Sequence, residues 1–195
     1  MNKSLFLLGG TAWINLVNTQ YISENQNIDI LIDPSKTLQW LEDNRLLRKS
    51  DFLALKNGEI LNSLTEDLKS LRDLSKMILG DLEKQGKLSL NLTEQLKRLT
   101  KQIKVSLSID SEFDKLTLVY EGLTTREHVQ YFIIQSIIQT LNSTPAHRVR
   151  KCEHQECQLY FVDTSKSGKR RWCSMELCGN RQKAAEFYAR KKKKQ

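Results

Sequence analysis

The chain has 195 residues, 39% apolar and 28% charged, which allows one helical core with a small appendage. No apolar run approaches the roughly 18–20 residues a spanning helix needs, and Leu5–Leu8 is too short and lacks a following small-residue cleavage site for a secretory leader. The net charge of +8 is concentrated: residues 145–195 hold 14 Lys/Arg against 5 Asp/Glu, while the first 144 hold 17 against 18. The last quarter alone therefore implies a polyanion or an anionic surface as partner, against the plainer reading of a solvated tail.

In chain order, residues 1–13 read as the first core element of a cytoplasmic protein. Asp33 is an expected N-cap with Pro34 at the first helical position, ahead of an apolar stripe of Leu38, Leu41 and Leu46 with Trp40 beside it. Asn27–Ile32 is a candidate short strand. Ser50 opens a short segment that Asn57-Gly58 is expected to close as a C-cap. A long helix follows, with Ile60, Leu61, Leu64, Leu68, Leu71, Leu74 and Ile78 near 3.6-residue spacing. Asn91 with Glu94 reads as the capping box of the next helix. SLSID and KLTLVYEG alternate well enough to pair across the Ser111–Asp114 turn. Thr124 with Glu127 caps a helix that is apolar over much of its circumference and so is expected at the centre of the core. Pro145 marks a boundary between domains at 1–144 and 148–195.

All four cysteines lie in the last 44 residues, as Cys152-x4-Cys157 and Cys173-x4-Cys178. Two close pairs suit a tetrahedral Zn2+ held by four thiolates, preferred here over a redox or iron–sulfur role and over two disulfides. Such a site leaves no open position for catalysis. His154, inside the first pair, is an alternative ligand, though a surface position is the preferred reading; His128 and His147 read as surface or core-edge residues. Residues 158–162 and Lys169–Trp172 are expected to form a hairpin across Asp163–Gly168, and residues 179–192 a helix. Knuckle, hairpin and helix in that order give a small treble-clef-like zinc finger behind a mainly α domain with a few short strands.

The segment from Cys152 to Lys183, with both cysteine pairs, Phe161, Asp163, Arg171-Trp172-Cys173-Ser174-Met175 and the run Cys178-Gly179-Asn180-Arg181, resembles the CGNR zinc-finger family over about residues 148–190. GGTAWINLVNT at residues 9–19 is similar to the opening motif of the domain that usually precedes this finger, called ABATE, in which Asp tends to stand where this chain has Asn15. The resemblance implies a helical N-terminal domain and a bacterial, stress-induced transcription regulator that contacts DNA.

On that reading Lys169, Arg170 and Arg171 on the second hairpin strand, and Arg181, Lys183 and Arg190 on the helix, face nucleic acid, as phosphate contacts or as an Arg reading guanine. Ala184, Ala185 and Tyr188 are expected to pack on the hairpin. Arg181 has a competing structural role, as partner of Asp163. Phe161 and Trp172 read as core of the finger. Double-stranded DNA is the expected partner, with a small-molecule effector and a homo-oligomer as further partners and no membrane. RNA or ribosome binding and a protein-interaction adaptor remain the alternatives. With no HExxH, Gly-rich phosphate loop or Ser/His/Asp pattern, an enzyme is not expected.

Overall fold

The computed structural model describes residues 6–23, 26–112 and 115–192. Residues 1–5 of the expected first element, the Phe113–Asp114 end of the expected turn and Lys193–Lys194 lie outside the described residues. The architecture is mostly helical, with three separate antiparallel strand pairs among the described residues.

A short helix, α1 (Ala12–Val17), sits at the centre, with Trp13, Ile14 and Leu16 fully buried. Around it run α2 (Pro34–Asp43), α3 (Asp51–Leu55), the 28-residue α4 (Gly58–Gln85), α5 (Leu90–Thr100) and α6 (Thr125–Ser143). α4 buries Leu61, Leu64, Leu68, Leu71, Leu74 and Ile78, the stripe its sequence spacing predicts. α6 buries Val129, Ile133, Ile134 and Ile137 against α1 and α4. Each fully buried Leu or Ile side chain contributes about 2 kcal/mol, so this shared face is the main source of stability.

The ends follow the expected chemistry at Asp33, whose carboxylate accepts the Ser35 and Lys36 N–H groups at 3.0 and 3.2 Å. Thr124 and Glu127 form a full capping box. Two ends differ. Asn57 does not close α3 but opens α4, its Oδ1 accepting the Glu59 N–H at 3.0 Å. The glycine that closes a helix is Gly86, whose φ of 70° is the left-handed geometry a C-cap requires. α5 is capped by Ser89 rather than Asn91; the Asp81 carboxylate fixes Ser89 by accepting its N–H at 2.7 Å.

β1 (Gln20–Ser23) pairs with β2 (Gln26–Asp29), and the expected strand over Asn27–Ile32 ends early because residues 30–32 turn into a 3-10 helix. Arg72 of α4, buried, donates to both carboxylate oxygens of Asp29 at 2.7 Å and to Thr19 Oγ1 at 2.8 Å, tying this hairpin to the core. β3 (Val105–Glu112) and β4 (Lys115–Gly122) pair as expected.

The third pair corrects the expected hairpin. β6 (Tyr160–Val162) pairs with β5 (Val149–Lys151), so the two strands flank the first cysteine pair; residues 169–172 form no ladder. The reason is Asp163. Its buried carboxylate accepts the Ser165 N–H at 2.9 Å and the Arg170 N–H at 3.0 Å, folding residues 163–170 into a closed loop.

The β5–β6 pair packs against the helical body. Val149 and Val162 belong to the main apolar core. The Val162 N–H donates to the Gly9 carbonyl at 3.0 Å. The Asn18 amide, at the end of α1, accepts from the Tyr160 N–H at 2.9 Å and donates to the Tyr160 carbonyl at 2.8 Å.

Candidate metal centre and basic helix

Two backbone turns bring the cysteines together. The Cys152 N–H bonds the Leu159 carbonyl at 2.8 Å and the Cys157 N–H bonds the His154 carbonyl at 2.9 Å, so β5 and β6 enter and leave one knuckle. The second pair is shaped by Ser174, which caps a wide turn (Met175–Gly179) and whose carbonyl accepts from Cys178 and Gly179. A Cβ on Gly179 would lie 2.4 Å from Met175 Sδ, so a larger residue there would require the Met175 side chain to move.

The four sulfurs lie within 4.8 Å of one another, and Cys157–Cys173 and Cys173–Cys178 are each separated by 3.7 Å. Tetrahedral zinc with Zn–S of about 2.3 Å requires sulfurs about 3.8 Å apart. The spacing therefore fits a four-thiolate ion and is far too long for the roughly 2.05 Å of a disulfide; all four thiols are free.

The electrostatics also call for a cation. A hydrogen bond from the Cys173 thiol, assisted by the Leu159 N–H, holds Cys157 down at about 5. That thiolate in turn drives Cys173 well above the ordinary thiol range, with burial adding to it. Burial and the neighbouring negative sulfurs push Cys178 up to about 12. Four thiolates therefore coexist here only with a positive ion between them.

His154 is buried, contrary to the expected surface position, and its Nδ1 accepts the Glu156 N–H at 3.2 Å. It shapes the knuckle and stands outside the four-sulfur cluster. Of the other histidines, His147 is exposed, while His128 is buried on α6 against Phe132 with ring centroids 4.7 Å apart.

The basic residues divide into two sets. Arg170 is turned inward: its guanidinium stacks 4.5 Å from the Phe161 ring centre, donates to the Trp172 carbonyl at 2.9 Å and reaches the Cys173 carbonyl. Arg171 stacks on Trp172 at 4.8 Å and donates to Glu153 at 2.5 Å. Arg181 pairs with exposed Glu156 at 3.5 Å, not with Asp163; Asp163 is taken up by its own loop and by Arg150, 3.9 Å away. Lys169, Lys183 and Arg190 are exposed. Phe161 is fully buried and Trp172 half-buried, as expected of a finger core.

The terminal helix, α7 (Asn180–Lys192), buries none of its residues. Ala184, Ala185 and Tyr188 do not pack on the hairpin; they are exposed, and the helix makes extensive contact only with the 175–179 turn among the described residues. The sequence signal for this was available: the helix has charged residues around most of its circumference and no continuous apolar stripe.

Among the described residues, no helix is long and apolar enough to cross a membrane. No curated protein matches the chain. Residues 148–191, which contain the four-sulfur cluster, its two knuckles and nearly all of the basic helix, match the family model of the CGNR zinc finger.

Proposed function

We infer that the chain is a zinc-stabilised, non-catalytic regulator that binds double-stranded DNA. The zinc is structural, because four thiolates leave no open coordination position. The observation that carries the reading is α7. Lys183, Arg190, Lys191 and Lys192 project into solvent from a helix whose one acidic residue, Glu186, bonds Gln182. A projecting, uncompensated cationic helix rooted on a metal-fixed knuckle suits a polyanion with a groove. Lys169, Arg171 and Arg181 border its root and extend the contact surface, while Arg170 stays inward and supports the knuckle. The helical body, similar to ABATE at residues 9–19, senses an effector or mediates assembly. A cytoplasmic setting belongs to this reading, since a reducing compartment keeps four thiols available to metal.

A second reading is favoured by one observation. Phe187 and Tyr188 are both more than half exposed beside these cations, and aromatic platforms among basic residues suit unpaired bases, as in RNA.

The test is affinity for duplex DNA, single-stranded DNA and structured RNA over a salt series, with zinc content checked in each variant. For duplex binding, Lys183→Ala with Arg190→Ala should reduce the salt slope by about 0.9 for each lost phosphate contact. Phe187→Ala should matter only on unpaired strands. Silent helix variants would remove α7 as the binding element, and no binding to any nucleic acid would leave a protein-interaction adaptor.

A further inference from the structure

The β3–β4 ribbon presents a face that the rest of the described molecule does not cover. Its register sets Leu107 opposite Tyr120, Ile109 opposite Leu118 and Ser111 opposite Leu116. Directly opposed residues share a face of an antiparallel pair, so Val105, Leu107, Ile109, Leu116, Leu118 and Tyr120 lie together. The opposite face carries Ser106, Ser108, Asp110, Thr117, Val119 and Glu121. The polar side is therefore the one that suits water. Yet all six large apolar residues are between 41% and 77% exposed.

Among the described residues, only the base of the ribbon is anchored. The Tyr120 ring lies 6.3 Å from that of Tyr131 on α6, and Arg48 donates to the Gly122 carbonyl at 2.8 Å. A two-stranded ribbon is marginal by itself in water and needs a packed apolar face to persist. Contiguous exposed apolar patches of several hundred Å2 mark interaction surfaces.

The size and chemistry of the patch select the occupant. At about 150–250 Å2 for each fully exposed side chain of this size, the six residues present on the order of 650 Å2. Two such faces stacked on each other would bury about 1,300 Å2, within the range of specific dimer interfaces. Among its described residues the face carries no charged side chain, so it offers nothing to a nucleic acid or to a charged peptide. A surface of Leu, Ile and Tyr matches itself across a two-fold axis. Edge-to-edge strand pairing would leave the same face in water, whereas face-to-face stacking at about 10 Å covers it.

We propose that the apolar face of β3–β4 is a homodimer interface, on which two copies of this chain stack their ribbons into a two-layer sandwich. This deepens the assembly role given to the helical body and rests on that part of the reading alone, not on DNA binding. The dimer joins two basic modules in one particle, so that the second contact with a polyanion becomes intramolecular.

The test uses full-length, zinc-loaded protein without nucleic acid, measured by sedimentation velocity and light scattering over a concentration series. The expected particle has twice the 22.7 kDa chain mass. Leu107→Asp with Ile109→Asp should give a monomer with unchanged zinc content and helical signal, because both side chains are exposed within one chain. Ser108→Asp, on the polar face, should remain dimeric. If the double variant loses zinc or helicity, Leu116→Ser with Leu118→Ser reads the same surface and should weaken dimerisation at least about tenfold. A wild type that stays monomeric at its highest attainable concentration overturns the proposal, as does a dimer whose dissociation constant is unchanged in the folded ribbon variants. Loss of DNA binding in a protein that still dimerises would count against the DNA reading only.

Discussion

Asn18→Ala tests how firmly the cysteine module is joined to the helical body. Asn18 is buried at the end of α1, and its amide makes two hydrogen bonds to one residue, Tyr160 of β6, at 2.8 and 2.9 Å. Alanine keeps the helical backbone conformation and removes both bonds. Each is worth about 1 kcal/mol net. Tyr160 is only half-buried, so water partly replaces the lost partner and the full penalty of a buried orphan does not apply. The expected cost is about 2 kcal/mol, or a fall in Tm of about 4–8 °C for a chain of this length. Asn18→Asp should cost at least as much although it is nearly isosteric, because it sets a carboxylate oxygen against the Tyr160 carbonyl. Thermal unfolding followed by far-ultraviolet circular dichroism, with zinc release read by a chromophoric chelator, measures both sides of the junction. Zinc should be released faster in both variants, since β6 leads out of the first knuckle. A Tm and a release rate equal to wild type in both would show that the clamp does not join the two parts.

Asn15→Asp should destabilise by about 1–3 kcal/mol in urea unfolding. Asn15 accepts the Gly9 N–H at 2.8 Å and donates to Asn44 Oδ1 at 2.7 Å, and a carboxylate has no proton for the second bond. Chelation of the metal should lower the Tm of the whole helical signal, not only that of the last 50 residues, because Val149 and Val162 are core residues held in place by the knuckle. Stability should fall in two steps on acidification. Burial, reinforced by Arg48, keeps His128 neutral below its ordinary 6.5, so the unfolded chain takes up the proton first and stability drops as pH falls through that value. Burial opposes ionisation of Asp51, but Arg48 and Thr125 outweigh it and hold the carboxyl below its ordinary 3.8; its contribution is present above that pH and is lost as pH falls below it. Asp51→Asn should reduce the second step in a Tm-against-pH series without abolishing it, because Asp29 and Asp163 are also held low, and should enlarge the first, because the Asp51 charge favours protonation of His128.

The metal cluster was legible because ligand spacing is a local property. Each Cys-x4-Cys segment is long enough to close one turn, and two such turns meet at one ion when the backbone between them returns. The long helices were legible for a similar reason, since α4 repeats its apolar residues at 3.6 spacing over 28 positions. What escaped depends on competition between partners. Asn57-Gly58 has the composition of a C-cap, yet Asn57 takes an extended backbone and serves the helix after it. The strand partner of β6 does not follow from the interval between the cysteine pairs, which is long enough for a hairpin, because the decisive contact is the buried Asp163 carboxylate gathering two N–H groups of its own loop. Asn18 was invisible in the sequence: a lone amide gives no sign that it will find a strand edge 142 residues away.

The basic charges were easy to count but hard to sort, and the sorting bears on how the module works. Arg170 and Arg171 stand in the same basic run as Lys169, yet stacking on Phe161 and Trp172 and bonds to carbonyls and Glu153 hold both near the knuckle. Guanidinium groups suit such stacked, multiply bonded positions, whereas a lysine ammonium does not. Among the described residues at the end of α7, Lys191 and Lys192 make no such contacts, and Arg190 donates only to the Glu186 carbonyl of its own helix at 3.3 Å. A 13-residue helix is near the lower limit for persistence without packing. Its first turn is fixed by the Ser174 cap and the close fit at Gly179, while its last turns carry like charges that repel one another. A polyanion lying along α7 would neutralise those charges and lengthen the stable part of the helix. If the chain binds DNA as proposed, the root holds an orientation and the tip gains order on the polyanion.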